Sequence, residues 1–273
     1  MMYMNQRGVS VKSHSIPSAF LQRKVVVDLF QPPFSEGKKE MSLLLINDGQ
    51  DMEKLGLAGM LDDLYRQGAI TQLLCVGIHC GEDRKNEYGT ASVRDYKGRG
   101  AKAGLYVQFV LLELLPFICT KSGISSFRDK AFAGFSLGGL SALDIVWNHP
   151  AAFAKAGVFS GSLWWRTKAL DNGYIEATDR IMHAQIRQGG YYPWLKFFFE
   201  TGTLDETEDR NNNGIIDSID DTIGLIEELE RKGYNRHTDI RYLELKDGRH
   251  DVDTWAKAMP EFLKWGWGGN LKI

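Results

Sequence analysis

The sequence predicts an α/β fold with a mostly parallel central sheet and helices on both faces. Short apolar runs at residues 42–46 and 73–78 carry no polar alternation, the pattern of strands buried on both sides. Strand and helix patterns alternate along the chain, which builds a parallel sheet through crossover helices. No repeat, low-complexity block or Pro-rich linker divides the 273 residues. Residues 23–273 therefore read as one domain, with residues 1–22 as an entering arm or edge hairpin.

Each element has a local cause. Val25, Val26 and Val27 make residues 25–29 a strand that stops before Pro32 and Pro33. Residues 42–46 give the next strand, ended by Asn47-Asp48-Gly49. Met60, Leu61 and Leu64 fall at helical spacing within residues 59–67, and Gly68 supplies a stop. The strand at 73–78 is followed by an apolar helix over 105–117. A strand at 131–134 leads directly into a helix over 137–148. Strands at 156–159 and 196–200, an amphipathic helix over 221–232, a strand at 240–245 and a helix over 252–265 complete the alternation.

Lys and Arg number 33 against 35 Asp and Glu, a net charge of −2, so no basic excess marks a nucleic-acid partner. The first twelve residues lack the apolar centre of a secretory signal. Residues 107–119, the most apolar stretch, hold Glu113 and Pro116 and are too short to span a bilayer. Cys75, Cys80 and Cys119 form neither a disulfide framework nor a metal-ligand spacing. The expectation is a cytoplasmic protein that engages neither membrane nor nucleic acid; its oligomeric state stays open.

The sharpest feature is Gly134-Phe135-Ser136-Leu137-Gly138-Gly139, set between a strand and a helix. So tight a turn strains its serine, and side chains on either flank would strike the strand or the helix. The turn lifts the Ser136 hydroxyl above the carboxyl ends of the strands, where open α/β sheets bind ligands. The Leu137 amide, at the helix N-terminus, faces the place where an oxyanion would form. The alternative is a tight turn with a purely structural task.

A lone serine is a weak nucleophile and needs a base, which in turn needs an orienting acid. With this turn the three follow the chain order Ser, acid, His. After Ser136 the histidines are His149, His183, His237 and His250. His149 precedes Pro150 at a helix end, His183 lies in a polar helical stretch and His237 in a polar loop. His250 follows the last strand on the turn into the final helix, the place for the base. Asp205, after the strand at 196–200, is the acid that would hold the imidazole in the correct tautomer. Glu206 is the second choice, while Asp251 and Asp253 read as helix caps. The second oxyanion donor is the Gln50 amide, in the loop after residues 42–46.

With these residues placed, the chain resembles the putative-esterase family of α/β-hydrolases. That family includes enterochelin esterases, feruloyl esterase domains, S-formylglutathione hydrolase and the mycolyltransferases. The likeness covers residues 25–267. It rests on Leu45-Ile46-Asn47-Asp48-Gly49-Gln50, on Arg84 with Glu87-Tyr88, and on the Ser136 turn with Ala133 before it. His149-Pro150, Phe159-Ser160-Gly161-Ser162, Gly202-Thr203-Leu204-Asp205 and Gly248-Arg249-His250-Asp251 with Trp255 extend it. The resemblance implies the α/β-hydrolase fold, a Ser136–Asp205–His250 triad, Gln50 and Leu137 as oxyanion donors, and catalysis without a cofactor. Asn-Asp-Gly-Gln replaces the glycine-rich oxyanion loop of lipases, which points to the esterase D-like branch. Substrate contacts are expected from Arg84, Glu87, Tyr88, Trp164, Trp165 and Trp255, against the alternatives of packing and of mutual pairing.

A second constellation spans residues 209–220. Asp209, Asn211, Asn213, Asp217 and Asp220 stand at positions one, three, five, nine and twelve of a calcium-type loop, with Gly214 at six. The Ile215 carbonyl would add a ligand. The expectation is a structural Ca²⁺ that stiffens the Asp205 loop; the alternative is an Asx-rich turn capping the next helix.

Together these features predict a serine esterase acting through an acyl-enzyme on a small-molecule or saccharide ester. An acyltransferase of the mycolyltransferase type and a non-catalytic binding module are the competing classes. Specificity lies in loops and pocket shape, so the particular ester is not legible in the sequence.

Overall fold

The computed structural model describes residues 8–33 and 41–269, and eight strands form one sheet in the order β1-β2-β4-β3-β5-β6-β7-β8. The strands are β1 (Ser10–Ser18), β2 (Arg23–Gln31), β3 (Ser42–Asn47), β4 (Leu73–Ile78), β5 (Lys130–Phe135), β6 (Lys155–Phe159), β7 (Lys196–Leu204) and β8 (Ile240–Arg249). β2 runs antiparallel to both β1 and β4, and every other pairing is parallel. The main helices are α1 (Leu57–Arg66), α2 (Ala103–Ser122), α3 (Leu137–Asn148), α4 (Ile181–Gln188), α5 (Asp217–Lys232) and α6 (Val252–Trp267).

Alternation along the buried strands sorts the core into two layers. Leu43 and Leu45 of β3 join the layer under α2, α3, α4 and α5, while Leu44 and Ile46 join the layer under α1 and α6. An all-apolar strand is therefore required, as its continuous run announced. Residues 10–18 form the edge strand of a hairpin with β2; of the entering segment, residues 1–7 lie outside the described residues.

Several elements exceed their apolar signal. β7 continues to Leu204 and β8 to Arg249, because the ladder persists past the last large apolar residue, pairing Gly202 with Leu245 and Leu204 with Arg249. α2 is 20 residues, longer than residues 105–117, and is long and apolar enough by composition to cross a membrane. The shorter reading is corrected: Leu105 and Phe117 are not its ends. Its Phe109, Val110, Leu114 and Ile118 pack into the core of the sheet. Pro116 cannot donate to the preceding turn, and residues Phe109–Leu114 take a wider π-type turn before it.

α6 crosses the sheet where Gly157 of β6 leaves room for it. A Cβ on Gly157 would lie 2.7 Å from Phe262 Cζ and 3.0 Å from the Ala133 Cβ. The fully buried Phe262 ring lies 5.2 Å from Phe198 and 5.6 Å from Phe159. Phe262→Ala is expected to lower stability by about 3–5 kcal/mol in urea unfolding, the ordinary cost of an aromatic-sized cavity.

Candidate active site

Strand β5 ends at Phe135, and the chain reverses at Ser136, whose φ of 53° and ψ of −123° lie in a region that residues with a side chain rarely adopt. Clearance here is close to nil. A Cβ on Gly134 would stand 2.4 Å from the Gly138 carbonyl carbon. The turn is tied down on both sides: Ser136 N donates to Phe159 O at 2.9 Å, and Ser162 N donates to Ser136 O at 3.0 Å. The Ser136 hydroxyl remains partly exposed, 3.4 Å from the Ser162 hydroxyl. Leu137 begins α3, so its amide has no partner within the helix.

The loop after β3 packs onto this turn. Asp48 takes the left-handed conformation at φ 60°, and Gly49–Asp51 forms a single 3-10 turn carrying Gln50. Gly49 is required because a Cβ would sit 2.5 Å from the Gly77 backbone. Among the described residues the amides of Gln50 and Leu137 donate to no other protein group. The Gln50 side chain turns away to accept from Cys80 N at 3.1 Å.

Two residues expected to touch substrate, Arg84 and Tyr88, hold this loop through Asp48. Arg84 donates through Nε and Nη2 to the two oxygens of Asp48, each at 2.7 Å. Asp48 N donates to Tyr88 Oη at 3.2 Å, and the Tyr88 ring is buried under the Arg84 guanidinium. Glu87, 1% exposed, receives Arg23 Nε at 2.8 Å and Nη2 at 2.6 Å. Glu87 and Tyr88 are thus corrected to scaffold, since neither has surface to offer a ligand; Arg84 keeps a partly exposed side chain. Asn47, in the family motif, had no assigned role; its Nδ2 donates to Gly138 O at 2.8 Å and its Oδ1 accepts from Tyr106 Oη at 2.5 Å.

The tryptophans divide similarly. Trp165 is fully buried, and a Cβ on Gly89 would meet its ring at 2.8 Å, so it is core and not pocket. Trp164 is half-buried between the guanidinium groups of Arg99 and Arg166, at 5.1 and 5.7 Å. Trp255 is mostly buried, stacked on Phe135 at 4.9 Å with the His250 ring edge-on at 5.4 Å. Only 8% exposed, it braces the His250 ring and has little surface to offer a ligand.

His250 leaves β8 on the turn before α6, and Asp251 caps that helix by accepting from Thr254 N at 2.8 Å. Desolvation pushes the His250 pKa below the usual imidazole value; Asp205 opposes this and Arg84 adds to it. The Asp205 carboxylate folds back over β7, its Oδ2 accepting from Gly202 N at 3.1 Å. Burial raises its pKa, while Gly202, Ser160 and His250 hold it down. Among the described residues no hydrogen bond of 3.5 Å or less joins Asp205 to His250 or His250 to Ser136. Catalytic hydrogen bonds are often loose without substrate. Burial and the charges of Asp217, Glu208 and Asp221 push the Glu206 pKa up to about 7, against the Ser218 backbone, which holds it down. His183 is buried in α4, its Nε2 2.8 Å from Asp221 O, which removes it from the polar surface.

The 209–220 loop is held by its own polar groups. Asp209 accepts from Asn213 N at 3.1 Å and Gly214 N at 2.8 Å. The side-chain amides of Asn211 and Asn213 donate to Asp220 at 3.0 and 3.3 Å. Arg210 reaches Asp217 at 3.1 Å and Asp221 at 2.6 Å. Among the described residues no group of three or more His, Cys, Asp or Glu converges as a metal site.

The strand order and a serine on the turn after β5 define a protein of the α/β-hydrolase fold. The family described as "Putative esterase" matches residues 18–265, and the chain belongs to it. Its fold is shared with the enterobactin esterase FES of Shigella flexneri, at TM-score 0.68 and 19% identity over 93% of this chain. The chain spans 58% of that protein's length. It is also similar to an IroE-like serine hydrolase of Shewanella oneidensis (TM-score 0.68, 16% identity, 94% of this chain and 79% of that one). The BES protein of Bacillus cereus gives a TM-score of 0.67 at 17% identity, covering 97% and 96% of the two chains. Comparison with curated protein sequences gives no match.

Arg84→Met would strand the Asp48 carboxylate, which is only 3% exposed. A stability loss of about 3 kcal/mol is expected in urea unfolding, because a buried charge loses its partner. Pairing it with Asp48→Asn should recover most of that loss.

Proposed function

We propose that the chain hydrolyses carboxylic esters through an acyl-enzyme on Ser136. The observation that carries this reading is Ser136 at φ 53° on the β5–α3 turn, with the Leu137 and Gln50 amides donating to no other protein group among the described residues. His250 takes the Ser136 proton as the hydroxyl attacks the ester carbonyl. The two amides hold the oxyanion that develops there. His250 then returns the proton to the departing alcohol, and the Asp205 carboxylate stabilises the imidazolium formed between these steps. Water, deprotonated by the same imidazole, releases the acid. The chemistry needs no cofactor.

The substrate in this reading is a small-molecule ester, as enterobactin esterase acts on enterobactin; a saccharide ester is the variant to test beside it. Transfer of the acyl group to an added alcohol in place of water would mark the acyltransferase alternative. A panel of chromogenic esters graded by acyl size is expected to show turnover that Ser136→Ala lowers by about 10³-fold or more without unfolding. Full activity in that variant overturns the reading.

The base must be neutral to act. Because the His250 pKa lies below its usual value of about 6.5, kcat/KM should rise with pH through a midpoint under 6.5 and be level at neutrality. Arg84→Met removes one of the causes of the low value, so its midpoint should move to higher pH.

We further propose that the 209–220 loop binds one structural Ca²⁺ through Asp209, Asn211, Asn213, Asp220, the Ile215 carbonyl and, through water, Asp217. Support comes from Asn211 and Asn213 both meeting Asp220, which gathers positions three, five and twelve. Rotating each amide would turn its oxygen to an ion. Ca²⁺ should raise Tm in the wild type and leave Asp220→Ala unmoved; an identical Tm with Ca²⁺ and with chelator rejects the site.

A further inference from the structure

Two carboxyl groups share one face of β7. Glu200 has the same strand parity as Phe198, which packs in the layer under α6, and it is 1% exposed. Gly202 is the next residue on that face, about 7 Å further along a strand. The Asp205 carboxylate takes the space a Gly202 side chain would need: its Oδ1 lies 2.9 Å from the Cβ position of Gly202. Both oxygens of Glu200 and Oδ1 of Asp205 are buried without a hydrogen-bond partner.

Ser160 stands between them. Its φ of 44° and its N donating to Glu200 O at 2.8 Å hold it at the end of β6. Its hydroxyl accepts from Trp255 Nε1 of α6 at 2.9 Å, in the layer toward which both carboxyl groups turn, and among the described residues no hydrogen bond of 3.5 Å or less joins it to either of them. A hydroxyl has one proton to give and two lone pairs to fill. One lone pair is taken by Trp255, which leaves one proton and one acceptor site for two acids.

We propose that Glu200 is a positioning residue of the triad: its carboxyl O–H donates to Ser160 Oγ, and the Ser160 O–H donates to Asp205, fixing the carboxylate that orients His250. This rests on the esterase reading above and deepens it. The direction of the chain follows from charge. Two neighbouring carboxyls do not both ionise cheaply. Asp205 has the Gly202 amide and the imidazole to support a negative charge, whereas Glu200 has burial and the Asp205 charge against it. The Glu200 pKa accordingly rises to about 8. Tyr242, hydrogen-bonded to Thr201 and Glu244, is the other titratable group near Glu200. No proton leaves the network in this role; small side-chain rotations bring the unpartnered carboxyl oxygens within reach of the Ser160 hydroxyl, and each bond then has one direction.

Two variants and one spectrum test it. Glu200→Gln keeps a donor and is expected to hold kcat within threefold of the wild type. Glu200→Met removes the donor at similar size and should lower kcat at least tenfold with KM unchanged. Infrared difference spectra of wild type minus Glu200→Gln at pH 7 should contain the carbonyl stretch of a protonated carboxylic acid. A tenfold loss in Glu200→Gln, full kcat in folded Glu200→Met, or absence of that band overturns the proposal. The spectrum decides the matter even where Glu200→Met does not fold. Failure of the esterase reading would appear separately, as Ser136→Ala retaining activity.

Discussion

The space between β5 and α3 is the constraint on which the rest of the site depends. Gly134, Gly138 and Gly139 stand so close that no side chain fits among them; a Cβ on Gly138 would lie 2.6 Å from Asp48 Oδ2. This crowding forces Ser136 into its strained conformation and sets the first turn of α3 against the β3 loop. The Asp48 charge can lie against that turn because Arg84 neutralises it with two hydrogen bonds. The Ser136 turn and the β3 loop are thereby one packed unit, not two loops that happen to meet.

The same device recurs at the other end of the site. Gly202 on β7 and Gly248 on β8 approach so closely that a Cβ on Gly202 would lie 2.4 Å from the Gly248 carbonyl. A residue without a side chain leaves a seat on the sheet, and the carboxylate of a later residue occupies it. Asp205 and His250 leave adjacent strands there, and Trp255 from α6 braces the imidazole. The side chains proposed to act on the ester are held by backbone contacts at strand ends, below which the two apolar layers supply rigidity.

Features that rest on local periodicity were legible in the sequence. Strand β4 and helix α3 begin and end where their apolar patterns do, and the parallel sheet follows from runs like 42–46. Ser136 could be found because its turn demands glycines at fixed spacing. What stayed hidden depends on contacts between distant residues. Nothing near Glu87 announces Arg23, 64 positions earlier, and Trp165 reads equally as a pocket aromatic or as packing until Gly89 and Gly100 are seen against it. Glu200 did carry a signal: a charge directly after Phe197-Phe198-Phe199, at a position where alternation turns the side chain inward. Its meaning required Ser160 and Asp205, which only the fold brings near.

The edge-on contact of His250 with Trp255, which stacks on Phe135, has an optical consequence. An indole in contact with an imidazole is quenched more strongly when that imidazole carries a proton, so Trp255 emission reports the charge of the ring beside it. The protein thus contains a fluorophore at the site itself, through which the protonation of His250 can be followed without an ester present.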